Sequence, residues 1–144
     1  MLREAKYEDL DALLKLYLDL HEDHIPQRDT HLLDTWKKIL DDPNHHLIVN
    51  EIQGKIVSSC DCMIIPNLTR NVRPYAFVEN VVTHADFRNH GYAGQCIDYA
   101  VSIARQENCY KVMLLTGSKE ESILRFYEKH GFNRQDKTAF IRWL

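Results

Sequence analysis

In the stretch Arg88-Asn89-His90-Gly91-Tyr92-Ala93-Gly94, residue types and spacing point to a specific chemistry. A strand-like run ends just before it, and a helical pattern opens within it. The first backbone N–H groups of a helix lack intrahelical acceptors, and the helix dipole adds positive potential at the same end. A glycine-bearing loop there is an anion site, well suited to phosphate. Gly91 allows a close approach that a side chain would block. Two familiar phosphate loops do not fit. A Walker A loop needs G-x-x-x-x-G-K-[ST], which is absent. A dinucleotide fingerprint needs G-x-G-x-x-G, and Gly91-Tyr92-Ala93-Gly94 lacks its first glycine. A plain strand-to-helix turn that uses glycine for geometry is the alternative reading.

Other reactive side chains form weaker patterns. His21-Glu22-Asp23-His24 resembles a zinc protease motif, but its histidines are three residues apart where that motif needs four. His45-His46 has no complete ligand set around it, so no metal is expected. The four cysteines are Cys60, Cys62, Cys96 and Cys109. Cys60-x-Cys62 has no second pair at zinc spacing, and the chain is not cysteine-dense, so free thiols are expected. Cys96 falls on an apolar helix face and reads as core filling.

The chain of 144 residues has the size of one domain, taken as 1–144. Hydrophobic residues make up 44% and charged residues 27%, a globular balance. The net charge of −3 and the absence of a basic run argue against nucleic acid as a partner. No apolar run approaches the ~20 residues of a membrane span. The N-terminus shows no secretory core, so the cytoplasm is the expected compartment.

These residues must be positioned by a framework. Leu10, Leu13, Leu14, Tyr17 and Leu20 recur at helical steps and predict a helix over 7–21. Leu32, Leu33, Trp36, Ile39 and Leu40 predict a second over 30–41, stopped by Pro43. The period then changes. A strand over 46–51, a Gln53-Gly54 turn and a returning strand over 55–65 make a hairpin. Strands follow at 75–83 and 111–116, with a helix over 92–107 between them. Ser118-Lys119-Glu120-Glu121 has capping-box form and would open a helix to about His130, with Gly131 as its stop. Residues 138–143 read as a final strand, and residues 2–5 as an opening one. A meander feeding a strand–helix–strand unit implies a mixed, mostly antiparallel sheet with helices on both faces, an α/β architecture.

With that context, Arg88-x-x-Gly91-x-Ala93 matches the R/Q-x-x-G-x-G/A loop of the GNAT superfamily of N-acetyltransferases. Val78-Glu79-Asn80-Val81-Val82 resembles that family's fourth strand. Phe126-Tyr127-Glu128-Lys129-His130-Gly131-Phe132 resembles its Y-E-K-x-G-F signature. The pieces stand in the family's order and the resemblance covers essentially the whole chain. There are departures. Thr83-His84 stands where the family often has proline, Ala93 where it often has glycine, and no asparagine precedes the last helix.

The resemblance implies an acyl-CoA N-acyltransferase fold and acetyl-CoA as co-substrate, with no metal. The pantetheine arm would lie between two splayed strands and pair with the backbone at Val81 and Val82, a form of strand addition. The pyrophosphate would sit on the N–H groups of Arg88, Asn89, His90, Gly91, Tyr92, Ala93 and Gly94. Glu79 is the implied base for the attacking amine and Tyr127 the implied acid toward the departing sulfur. The acceptor is expected to be a small-molecule or peptide amine. His24, Arg28 and His31, with Arg70 and Arg73, are candidates for selecting it. The alternative function is a catalytically inactive CoA-binding sensor or interaction module. Monomer and homodimer are both compatible with the sequence.

Overall fold

The computed structural model describes residues 1–144. The strands are β1 (Leu2–Glu4), β2 (His45–Ile52), β3 (Lys55–Ile65), β4 (Tyr75–Thr83) and β5 (Val112–Leu114). The helices are α1 (Leu10–Tyr17), α2 (Thr30–Asp41), α3 (Thr69–Val72), α4 (Tyr92–Gln106) and α5 (Glu121–Lys129). The sheet order is β1-β2-β3-β4-β5. All neighbours are antiparallel except β4 and β5, which run parallel across the α4 connection. This is the mixed, mostly antiparallel α/β sheet that the sequence predicts.

Alternation along the strands sorts the core onto two faces. Ile48, Cys60, Cys62, Ile64, Ala76 and Val78 point to the α4 side and meet Cys96, Ala100, Ile103 and Ala104. Leu47, Val49, Ile56 and Val82 point the other way and meet Leu10, Leu13 and Leu16 of α1 and Trp36 of α2. Leu13 is fully buried, a gain of about 1.5–3 kcal/mol over the exposed state. Trp36 also satisfies its polar atom, since its Nε1–H donates to the Tyr7 carbonyl at 3.0 Å. The helix propensity of α2 is reinforced at its start, where Asp29 accepts from the Leu32 N–H. The Gln53-Gly54 turn has positive φ at both residues, the geometry that suits a two-residue hairpin.

Three expectations are corrected. The first helix stops at Tyr17, because the chain tightens into short-range bonds such as Asp19 N–H to Leu16 O and Leu20 N–H to Tyr17 O. Ser118 does not cap α5. Its hydroxyl accepts from the Glu120 N–H in a local turn, and the helix begins three residues later at Glu121. Residues 138–143 form no strand, because nothing in this chain pairs with them. Gly131 does end α5. It has φ +89°, and the Phe132 and Gly131 N–H groups reach back to the carbonyls of Tyr127 and Glu128.

Candidate active site

The loop before α4 opens that helix at a left-handed glycine. Asn89 and Gly91 both have positive φ, and Gly91 caps the helix without a side-chain bond. The backbone N–H groups of residues 89–94 donate to no acceptor in the chain. Such a row of free donors at a helix start has the geometry that favours an anion. Two contacts stiffen it. The His90 ring stacks on Tyr92 at 5.8 Å, and its Nδ1 is 2.7 Å from the Arg88 carbonyl. Asn50, itself buried, donates from Nδ2 to Gln95 Oε1 at 2.7 Å and ties β2 to the first turn of α4. The Arg88 guanidinium turns toward the carbonyls of Thr83 and Asp19.

Beside this loop the sheet opens. β4 and β5 pair only at Ala76–Val112, Phe77–Met113 and Val78–Leu114. From Glu79 onward β4 has no partner on that side. At the same point β4 carries a bulge. Ser59 faces Val82 and Asp61 faces Glu79, so Cys60 alone stands opposite Asn80 and Val81. Asn80 takes the left-handed conformation, φ +52°. The bulge resets the alternation. Val81 joins Ala76 and Val78 on the α4 side, and Val82 falls to the opposite core. Glu79 is exposed at the point where the strands part.

Tyr127, on α5, is brought into electrostatic reach of Glu79. Burial pushes its phenol above the ordinary tyrosine range, and the charge of Glu79 adds to the effect. Tyr127 packs on Phe126 and Phe132, which fixes its ring. Gly94 has a second use besides its N–H. A Cβ there would lie 2.5 Å from the His130 ring, so the glycine lets α4 and α5 approach closely.

A cluster that sequence reasoning missed lies next to Glu79. Asp61 is buried and bridges two strands. One carboxylate oxygen accepts from His45 Nε2 at 2.9 Å, and the other accepts from Asn80 Nδ2 at 2.7 Å. The Asn80 bond pins the bulge. These three residues line one end of a pocket of about 190 Å³ between α1, α2 and the sheet, whose walls include Leu13, Trp36 and Tyr17. Burial and then the Asp61 charge raise the Tyr17 phenol far above its ordinary value. The signal in the sequence was a single acid inside the apolar run of β3.

The cations considered for acceptor choice are engaged elsewhere. Arg73 donates to the carbonyls of Asn108 and Cys109, and Arg70 lies over the Tyr110 ring. Arg28 pairs with Asp11 at 2.6 Å on the surface. His24 and His31 are exposed. Cys60, Cys62 and Cys96 are buried free thiols, and Cys109 is partly buried. Burial raises Cys96 to about 11 and Cys62 to about 12, so neither is a nucleophile at neutral pH. No helix is long and apolar enough to cross a membrane.

The chain is similar to known proteins in sequence and in fold. Residues 10–132 match the family model described as the acetyltransferase (GNAT) family. A stretch of 84 residues is 37% identical to glucosamine 6-phosphate N-acetyltransferase of Trypanosoma brucei brucei, covering 58% of this chain and 55% of that protein. The chain thus spans about half the length of that curated relative. A solved structure from Agrobacterium tumefaciens str. C58, provisionally described as an acetyltransferase, is 38% identical with a TM-score of 0.91, covering 99% of both chains. Another, described as a transcriptional regulator from Bacillus halodurans C-125, is 26% identical with a TM-score of 0.87 and covers 99% of both chains.

Proposed function

The chain belongs to the GNAT acetyltransferase family, and from that premise we propose that it transfers the acetyl group of acetyl-CoA to a primary amine by direct attack in a ternary complex. The observation that carries this reading is the coincidence of three features. The β4–β5 pairing ends at Val78, Glu79 stands at the opening, and the free N–H groups of residues 89–94 lie at the start of the next helix.

The residues present suit acetyl-CoA. Its pyrophosphate fits the donor row at residues 89–94, and its pantetheine amides fit the unpaired edge of β4 around Val81 and Val82. That edge would direct the thioester toward Glu79 and Tyr127. Acetyl-CoA supplies an activated acyl carbon. Glu79 takes a proton from the acceptor ammonium, directly or through one water, and the neutral amine attacks the carbonyl. Backbone N–H at the Val81 bulge supports the developing oxyanion. The adduct nitrogen sheds its second proton to solvent, the C–S bond breaks, and Tyr127, held protonated by its surroundings, gives its proton to the thiolate. No acyl-enzyme is required.

The acceptor would enter between α1 and α2. The pocket there has a carboxylate, Asp61, and no lysine or arginine in its lining. This favours a cationic, partly apolar amine over a phosphorylated one. Residues 1–144 would act as one catalytic domain.

The test is thiol release from acetyl-CoA against a panel of aryl and alkyl amines, polyamines, amino sugars and peptide N-termini. Turnover of one class, suppressed in Glu79→Gln, is expected. Acetyl-CoA binding by calorimetry with no turnover of any amine would instead favour a sensor, the role nearest to the regulator description of the Bacillus halodurans structure. Absence of binding would overturn the cofactor assignment.

A further inference from the structure

A buried acid faces the pocket between α1 and α2 without a permanent counter-ion. The Asp61 side chain is 10% exposed, and its ionic partner is His45, which is charged only when protonated. His45 Nε2 lies 2.9 Å from one carboxylate oxygen, and Asn80 Nδ2 donates to the other at 2.7 Å. These bonds fix the carboxylate without saturating it, since its two oxygens together offer about four acceptor sites. A buried carboxylate is costly unless a cation reaches it, and no lysine or arginine lines this pocket.

Asp61 also stands beside Glu79. The two are paired across β3 and β4. Cys60, Cys62 and Val78 point to the α4 side, so alternation puts Asp61 and Glu79 together on the face toward α1. Directly opposed residues have Cβ atoms roughly 4.5–5.5 Å apart, and like charges so placed repel. An ammonium lodged between them relieves that repulsion, neutralises Asp61 and comes within reach of Glu79.

The rest of the pocket shapes the body behind that ammonium. Its volume of about 190 Å³ is small, since ligand pockets commonly span about 300–1,000 Å³. Leu10, Leu13, Leu14, Trp36 and Ile39 supply apolar walls. Asp61 is the one acid in the lining, so the second ammonium of a diamine finds no partner there. The hydroxyls of an amino sugar would lie unpaired against leucines.

We propose that Asp61 determines which acceptor is used, by holding the ammonium of a monoamine whose compact aromatic or branched body fills the space beside Trp36. The proposal rests on the acetyl-transfer function given above. It places the selecting charge on β3, one strand away from the base that takes the proton.

Binding is measured without acetyl-CoA, which separates it from turnover. In a Trp143→Phe background the indole fluorescence comes from Trp36 alone, because the chain has two tryptophans. The probe is 2-phenylethylamine at pH 7, with 2-phenylethanol as its uncharged counterpart. The amine should bind about thirtyfold or more tightly than the alcohol. Asp61→Asn should bring the two to near equality, whereas a general loosening of the fold would weaken both and keep their ratio. Putrescine and glucosamine should each bind about tenfold or more weakly than 2-phenylethylamine. Leu14→Phe narrows the apolar wall and leaves Asp61 in place, so it decides the matter even where Asp61→Asn does not fold. It should weaken 2-phenylethylamine by about tenfold or more. Equal binding of amine and alcohol by the native pocket overturns the proposal, as does a ratio unmoved in Asp61→Asn. Putrescine or glucosamine bound as tightly as 2-phenylethylamine, or indifference to Leu14→Phe, overturns it too. Asp61-dependent amine binding with no thiol release from acetyl-CoA would support the ammonium site and overturn the transferase function instead.

Discussion

Gly94 and His130 touch across α4 and α5, with the ring Cε1 and Nε2 each 2.5 Å from where a Cβ on the glycine would stand. The ring has little room to retreat. Its Nδ1 is bonded to Asp98 at 2.9 Å and its face meets Phe126 at 5.0 Å. Gly94→Ala is therefore expected to cost about 1–3 kcal/mol by overpacking, and to shift α5 with Tyr127 on it. Adding His130→Ala should recover part of the loss. Denaturant melts of the two single variants and the double variant check this, and simple additivity would contradict the contact.

Glu79 and Tyr127 are expected to separate in kinetics. Glu79→Gln should lower kcat by about 10²-fold or more and leave acetyl-CoA affinity nearly unchanged. Tyr127→Phe should lower kcat by about 10²-fold as well. The pH profile distinguishes the two roles. Burial raises the Tyr127 phenol above 10, so the protonated acid persists through neutral and mildly alkaline pH and is lost only beyond that value. The native alkaline limb should lie above pH 10 and be missing in Tyr127→Phe. An unchanged limb in that variant would remove Tyr127 from the acid role.

Asn80 carries the bulge in a conformation that most side chains resist. Asn80→Gly keeps the backbone but drops the bond to Asp61, and should cost about 1 kcal/mol. Asn80→Val adds a β-branched penalty for positive φ and should cost about 1–3 kcal/mol more. Because the same bulge presents Glu79, kcat should fall in the same order, native above Gly above Val. Steady-state kinetics beside thermal melts would show this, and a Val variant with native kcat would break the link between bulge and base.

The Arg3–Asp9–Glu51 cluster should set the acid limit of stability. The Arg3 guanidinium bonds Asp9 at 2.6 Å and Glu51 at 2.7 Å, with the Asp9 side chain 8% exposed. The bond from Arg3 holds the Asp9 carboxyl below its ordinary 3.8 despite burial. A depressed carboxylate contributes stability above its unfolded pKa and loses it as pH falls through the folded one. Asp9→Ala should cost about 2 kcal/mol or more at pH 7, and the gap from the native protein should narrow below pH 4. Urea melts at pH 7, 4 and 3 measure it.

Much of this framework was legible in the chain. The α2 helix spans 30–41 as its periodicity implies, and the Gln53-Gly54 turn and the β3 and β4 limits also agree. These segments have strong periods and local turn chemistry, which act without distant partners. The bulge at Asn80 was hidden because Val78 to Val82 reads as an unbroken strand, and only pairing with β3 reveals the extra residue. Asp61 was hidden for a similar reason. Its partners, His45 and Asn80, lie on two other strands. Residues 138–143 show the opposite failure, since strand-forming composition without a pairing edge in the same chain leaves no strand.

The bulge makes β4 behave like a reading frame. Upstream of Asn80, Ala76 and Val78 face α4, while downstream Val81 does so and Val82 faces away. A single inserted or deleted residue on either side would turn over every side chain from there to the strand end. The distance from Ala76 to Val82 must therefore stay fixed through any divergence that keeps Glu79 where β4 and β5 part. The segments 18–29 and 66–74 have no such lock, and loops accept added length cheaply. Change in the range of acceptors would accordingly come by lengthening and trimming those two segments around a strand whose residue count stays the same.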